Sequence, residues 1–213
     1  MNLAVTLRPT LWRQIVIQLL PMANSERQPL RANTSRWLGQ MLRGQRQGRT
    51  CLPYYLGLKP VDFRWFMHRY LHGQNRYQSL PSPRQQDRDN LRHDTDLRQQ
   101  LLEMREDEWQ EIRQLLLQYR AGKDDSELLM ADIVAAGCLG GEHLWRDLGL
   151  LNRSELSALL SQNFPQLVAA NDRDMKWKRF FYKQLCEAGG GYVCRAPSCD
   201  ECTAYADCFG PED

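Results

Sequence analysis

Cys194, Cys199, Cys202 and Cys208 stand in the spacing C-x4-C-x2-C-x5-C, four thiols within fifteen residues. Deprotonated cysteine sulfur is the ligand that holds iron–sulfur clusters. A Cys-x2-Cys step lets two ligands from one turn reach neighbouring corners of a cluster, and the x4 and x5 arms let the chain wrap the remaining sides. Pro197, between the first two ligands, restricts the loop and lowers the entropy lost on closing it. An iron–sulfur or related cluster is therefore the leading reading. Structural zinc is the second, although zinc sites usually join two short cysteine hooks across a longer loop. A disulfide knot is the third, and it requires an oxidising compartment.

Other residues could join such a centre. Cys186 lies eight positions before Cys194, at the end of an expected helix, where it could supply a fifth sulfur or stay a buried thiol. His143 falls beside a Gly-Gly break, where a side chain can reach a site. His68 and His72, four apart on an expected helix, could share a face, but no third ligand accompanies them. His93 reads as solvated, and the isolated Cys51 and Cys138 read as packing residues. Tyr205 and Phe209 could shield one side of the centre from water, or simply pack. Nothing in the chain resembles a nucleophile–base pair or a nucleotide-binding loop, so no catalytic residue is assigned.

The elements that must position these groups read as helices almost throughout. Leu11 to Leu20 and Ser35 to Leu42 are short amphipathic stretches, and Val61 to Leu71 follows Pro60, which suits a helix start. The polar run from Gly73 to Asn90, with Pro81 and Pro83, is the best linker candidate. Leu97, Leu101, Met104, Trp109, Ile112, Leu116 and Tyr119 mark one apolar face of a long helix from Asp94 to Tyr119, with Gly122 as its stop. Ser126 is the expected cap of a helix apolar nearly all round from Leu128 to Leu139 and hence central. Asn152 and Glu155 form a capping-box start, Pro165 opens a further turn, and Asp174 is the expected cap of a helix from Met175 to Glu187. No strand pattern or internal repeat emerges. The expected fold is all-α, a single helical domain with a C-terminal cysteine-rich loop wrapping a metal cluster.

The chain of 213 residues, 42% hydrophobic, is long enough to bury a core without help from metal. Its net charge of +2 conceals an asymmetry. Residues 1–86 hold thirteen Lys and Arg against Glu26 and Asp62, a balance of +11, and the remainder carries 15 basic against 24 acidic groups, a balance of −9. A basic half can meet nucleic acid, an anionic ligand or an acidic partner, or can be a solvated surface. The segment before the cysteines is also basic: Arg173, Lys176, Lys178, Arg179, Lys183 and Arg195 against Asp174 and Glu187. It could draw in an oxyanion. Trp177, Phe180, Phe181 and Tyr182, interleaved with it, more often face a core when on a helix. No window reaches the roughly 18 apolar residues of a membrane span, and no cleavage site follows the first twenty residues. The expectation is a cytoplasmic chain with reduced thiols and no membrane.

H-L-W-R-D-L-G-L (143–150), N-F-P-Q-L (163–167), N-D-R-D-M-K-W-K-R-F-F-Y-K-Q-L-C (171–186) and C-R-A-P-S-C-D-E-C-T-A-Y-A-D-C-F-G-P-E (194–212) together resemble the NifQ family over roughly residues 97–213. Upstream, only L-P-Y-Y-L-G-L (52–58) is similar. The resemblance divides the chain into a basic helical N-terminal region, 1–90, and a NifQ-like helical domain with the cluster motif, 91–213. It implies a protein of nitrogen-fixing bacteria that carries a molybdenum–iron–sulfur cluster and donates molybdenum, taken up as molybdate or held in the cluster, to nitrogenase cofactor assembly proteins making the iron–molybdenum cofactor. Cys194, Cys199, Cys202 and Cys208 fall on the family's cluster motif, and Cys186 and His143 on recurring positions that suggest molybdenum-side ligands. The arginine-rich start is the departure from the family pattern. The rival class is an iron–sulfur DNA-repair glycosylase, whose cluster also ends in x2 and x5 spacers and whose phosphate contacts would suit the basic half. Its first spacer is x6 rather than x4, and its glycine-rich DNA-gripping hairpin and catalytic aspartate have no counterpart here, which disfavours nucleic acid. A zinc-stapled interaction module is the third alternative.

Overall fold

The computed structural model describes residues 30–72, 85–188 and 205–212, and every regular element among them is a helix. In chain order these are α1 (Ala32–Arg46), α2 (Pro60–His72), α3 (Gln85–Met104), α4 (Glu106–Gln118), α5 (Ser126–Cys138), α6 (Leu144–Asp147), α7 (Arg153–Asn163), α8 (Pro165–Ala170), α9 (Trp177–Ala188) and α10 (Tyr205–Phe209). The expected helix at 11–20 lies outside the described residues.

The apolar run in α5 makes it the axis of the fold. Met130, Ala131, Ile133, Val134 and Ala135 are fully buried, as a helix without a polar face requires. Ile112 and Leu116 of α4 pack into the same core, together with Trp37, Leu38 and Met41 of α1, Phe66 of α2, Leu156 and Leu159 of α7, and Trp177, Phe180 and Phe181 of α9. The rings of α9 thus face the core, as their helical spacing suggested. The phrase at 52–58 has a structural reason too. Leu52, Leu56 and Leu58 are buried, and Gly57, at φ +84, presses on α5 so closely that a Cβ there would stand 2.5 Å from the Ala136 methyl. Only glycine meets both demands.

Ser126 is not the cap of α5. Its amide is held by the Asp124 carboxylate at 2.8 Å. The buried Glu127 side chain reaches back to the amides of Gly122, Lys123 and Asp124 at 2.6, 3.0 and 3.1 Å. Two carboxylates at the positive end of a helix replace the single hydroxyl. Asp124 also takes a two-pronged contact from Arg69, at 3.3 and 3.2 Å, which ties α2 to this turn. At α7 the capping expectation holds, with Asn152 Oδ1 accepting from the Glu155 amide at 2.9 Å, while Glu155 answers to the Leu151 amide at 3.1 Å.

Two boundaries differ from expectation. The linker candidate gives way to helix at Gln85, since only its earlier part carries the prolines. The long helix is broken at Arg105, whose backbone leaves the helical region (φ −117, ψ 30). Its guanidinium grips Glu108 at 2.7 Å and the Leu139 carbonyl at 2.8 Å. The break turns the apolar stripe out of register. Ile112 and Leu116 are fully buried, whereas Leu97, Leu101 and Met104 are 45%, 58% and 81% exposed.

Candidate metal centre

Cys194, Cys199 and Cys202 lie outside the described residues. Cys208, the last of the four, sits in α10, half-buried and packed against the core with Phe209. The segment around Cys208 is fastened to the helical body at several points.

The main-chain fastening is at the start of α9. The Lys176 amide donates to the Cys208 carbonyl at 2.7 Å, and Lys176 Nζ donates to the Ala206 carbonyl at 2.9 Å. Tyr205 and Phe209 stack with ring centroids 4.5 Å apart, and the Arg173 guanidinium lies 5.4 Å from the Phe209 ring. Beyond α10, Glu212 turns inward. Its side chain is 5% exposed and pairs with Arg153 at the head of α7. The other branch of Arg153 holds Asp174 Oδ1 at 2.7 Å and the Asp174 and Met175 carbonyls at 3.1 Å. Asp174, at φ +53, is therefore spent on Arg153 and does not cap α9. Asn171 closes that turn instead, by accepting from the Met175 amide at 2.9 Å.

His143 belongs to the same corner. It precedes α6 with extended backbone, its ring is 30% exposed, and its Nδ1 lies 4.0 Å from Glu212 Oε1. The fold thus brings His143 beside the tail that bears Cys208. Cys186 is placed elsewhere. It is half-buried near the far end of α9, ten residues from Lys176, a separation of about 15 Å by helical rise. No group of three His, Cys, Asp or Glu among the described residues stands close enough to hold a metal ion. His68 is exposed on α2.

The basic surplus of α9 is largely committed inside the molecule. Lys178 Nζ pairs with the buried Asp147 and donates to the Gly140 carbonyl at 2.7 Å. Gly140 must lack a side chain there, because a Cβ would fall 2.3 Å from the Asp147 carboxylate. Lys183 pairs with Glu187 at 3.6 Å. Arg179 remains exposed. An oxyanion approaching α9 would meet fewer available cations than the sequence count suggested.

Cys51 and Cys138 have a different environment. The Cys51 thiol lies 3.7 Å from the Ala136 and Gly137 carbonyls, and burial, reinforced by Asp147, pushes it up to about 12. Cys138 is fully enclosed and burial drives its thiol higher still. Neither is suited to become a thiolate ligand. Near them, burial and the hydrogen bond to Glu108 raise the Tyr182 phenol. A cleft of about 430 Å³ between the 54–60 turn, α3 and α4 is lined by Tyr54, Lys59, Gln99, Glu103 and Trp109 among others, and its lining among the described residues holds neither cysteine nor histidine. No described helix is long and apolar enough to cross a membrane.

Sequence reasoning did not single out Glu212 or Arg153. Their pairing spans 59 positions, and no local pattern announces it.

Residues 37–210 match the family described as NifQ, so the match starts well before the blocks in which the likeness was legible. The protein described as Protein NifQ of Azotobacter vinelandii is 50% identical over 177 residues, covering 83% of this chain and 88% of that one. Protein NifQ of Klebsiella pneumoniae is 53% identical over 81 residues, 38% of this chain and 48% of its own length. The Protein NifQ homolog of Sinorhizobium fredii is 48% identical over 99 residues, 46% and 43% of the two chains. No solved structure matches.

Proposed function

This chain belongs to the NifQ family, which implies a role in nitrogen fixation and iron–molybdenum cofactor biosynthesis, and from that premise we propose that it is a non-catalytic carrier of a molybdenum–iron–sulfur cluster. Its cargo is molybdenum, received as molybdate and handed to nitrogenase cofactor assembly proteins in the cytoplasm. Cys194, Cys199, Cys202 and Cys208 would hold the cluster, with the C-terminal segment wrapped round it, and His143 and Cys186 are candidate ligands on the molybdenum side.

The observation that carries the reading is the fastening of the Cys208 segment to the start of α9 beside His143. A carrier needs a ligand loop that is anchored at one end and near the surface. Cys208 is half-buried and His143 partly exposed, which meets both needs. The donor chemistry also fits: thiolates suit the iron–sulfur part of such a centre, and imidazole can serve a heterometal. When bound, the cluster supplies sulfide and iron to which molybdenum can be attached. The chain's own part is to orient Cys208 through its backbone carbonyl, to shield one side with Phe209, and to keep Cys51 and Cys138 protonated and out of competition. Cys186 lies near the opposite end of α9, so its part would come during transfer rather than beside His143 on the same metal.

Elemental analysis of the anaerobically purified chain tests this. Iron, sulfide and molybdenum together, with a brown absorption spectrum, are expected. Zinc alone, in a sample that stays colourless after iron–sulfur reconstitution, overturns the proposal.

A further inference from the structure

Glu212 presents an anomaly. Its carboxylate is 5% exposed, Arg153 occupies Oε1, and Oε2, although fully buried, has no hydrogen-bond partner among the described residues. A buried acceptor left open in this way is costly and needs a reason. Beside Arg153, a described neighbour able to donate to this carboxylate is the His143 ring, whose Nδ1 stands 4.0 Å from the Arg153-bound oxygen Oε1. That is ion-pair range rather than a hydrogen bond, and the His143 side chain, which makes no cap bond of its own, would have to rotate to bring Nδ1 onto the open Oε2.

We propose that Glu212 is a positioning residue for His143: held by Arg153, its carboxylate fixes the ring with the proton on Nδ1 and leaves the Nε2 lone pair available as a metal ligand atom beside the Cys208 segment. Histidines that bind metal commonly give their second ring N–H to a carboxylate, which sets the tautomer and raises the basicity of the ligating nitrogen. The arrangement here has the required parts. Arg153 is itself oriented by Asp174 and the Met175 carbonyl, so the carboxylate is fixed from α7 and from the turn before α9. The same residue that orients the ring also anchors the tail four positions beyond Cys208, so a ligand histidine and a ligand cysteine share one mechanical support. The ligand class this Nε2 would take is a transition metal, and molybdenum as the cargo rests on the carrier reading above.

The first test needs neither metal nor variant. Long-range proton–nitrogen spectra of the full-length, metal-free chain, with ring-labelled histidine, report which ring nitrogen of His143 carries the proton at a pH where the ring is neutral. The Nδ1–H form is expected. The Nε2–H form in the unaltered chain overturns the proposal, whatever the variants do. In Glu212→Gln, which keeps the size of the side chain but can turn an amide N–H toward the ring, the Nδ1–H signature should be lost. After anaerobic reconstitution with iron, sulfide and molybdate, this variant should keep its iron while its affinity for molybdenum falls about tenfold, the low end of the range for removing a carboxylate behind a ligand histidine. An unchanged tautomer in Glu212→Gln also overturns the proposal. If the unaltered chain takes up no molybdenum at all, the carrier reading fails, and the tautomer measurement still decides the Glu212–His143 pairing by itself.

Discussion

Two pairs of cysteines in one helical body have different surroundings. Cys138 closes α5 in the core, Cys51 is half-buried with its thiol 3.7 Å from the Ala136 and Gly137 carbonyls of α5, and burial makes both thiolates costly. Cys186 and Cys208 are half-buried at the two ends of α9. All four are the same residue type, and nothing about their chemistry in isolation separates them. The contrast teaches that the inner pair serves packing, with a polarizable side chain of small volume, whereas the outer pair lies on the segments that the proposed carrier role would use.

The most sensitive way to break this contrast is alkylation of the reduced, metal-free chain at pH 8 with a water-soluble maleimide, followed by peptide mapping. Cys186 and Cys208 should be modified under native conditions. At a value of about 12, Cys51 has a thiolate fraction roughly 10³-fold below that of an ordinary thiol. It and Cys138 should react only as the chain unfolds. Comparable native rates for inner and outer thiols would refute the distinction.

A core substitution should act globally and a tail substitution locally. Phe181→Ala, in a fully buried position, is expected to cost about 3–5 kcal/mol in chemical denaturation. Phe209→Ala should leave the unfolding midpoint nearly in place while raising the reactivity of Cys208. If Phe209→Ala destabilised the whole chain as much as Phe181→Ala, the tail would be part of the core rather than an attachment to it.

A third effect comes from the acid that the core encloses. Burial raises Asp132 to about 6 against its ordinary 3.8, with Arg113 opposing the shift. The native state therefore holds this proton more tightly than the unfolded state does. The contribution of Asp132 to stability is most favourable below about pH 4 and declines as pH rises from there to about 6, by at most about 3 kcal/mol. Asp132→Asn should remove that decline, so the difference in urea midpoint between the two proteins should shift across this window and be flat above it. The smallest effect is expected on α3: Leu101→Ser, on the exposed side created by the break at Arg105, should change stability by no more than about 0.5 kcal/mol, whereas the same change at Leu116 of α4 should be severe.

Local rules accounted for much of this molecule. The all-α architecture, the central place of the 128–139 helix, the Asn152 cap and the inward turn of Trp177, Phe180 and Phe181 follow from periodicity and capping chemistry that a few neighbouring residues carry. The failures share another cause. Ser126 lost its capping role to Asp124 and Glu127, the 94–119 stripe was split by Arg105 reaching the Leu139 carbonyl, and Asp174 was drawn away from α9 by Arg153. In each case a charged side chain found a partner that the local pattern did not include. The candidate site shows the same limit. Cysteine spacing marks Cys208, but the attachment of its segment to Lys176, and the pairing of Glu212 with Arg153 beside His143, exist only after the chain has folded. The likeness to the family was legible from residue 97, yet the match reaches back to 37, because α1 and α2 contribute mostly packing residues that carry no distinctive chemistry.

The claim that matters most is that the outer thiols, and not the inner ones, hold metal. Iron content and visible absorption of Cys208→Ala and Cys138→Ala, purified anaerobically beside the unaltered chain, test it directly. Cys138→Ala should retain the iron and colour of the unaltered protein, and Cys208→Ala should lose both. Iron and colour that persist in Cys208→Ala, or that disappear equally from Cys138→Ala in a chain that is still folded, would contradict the account.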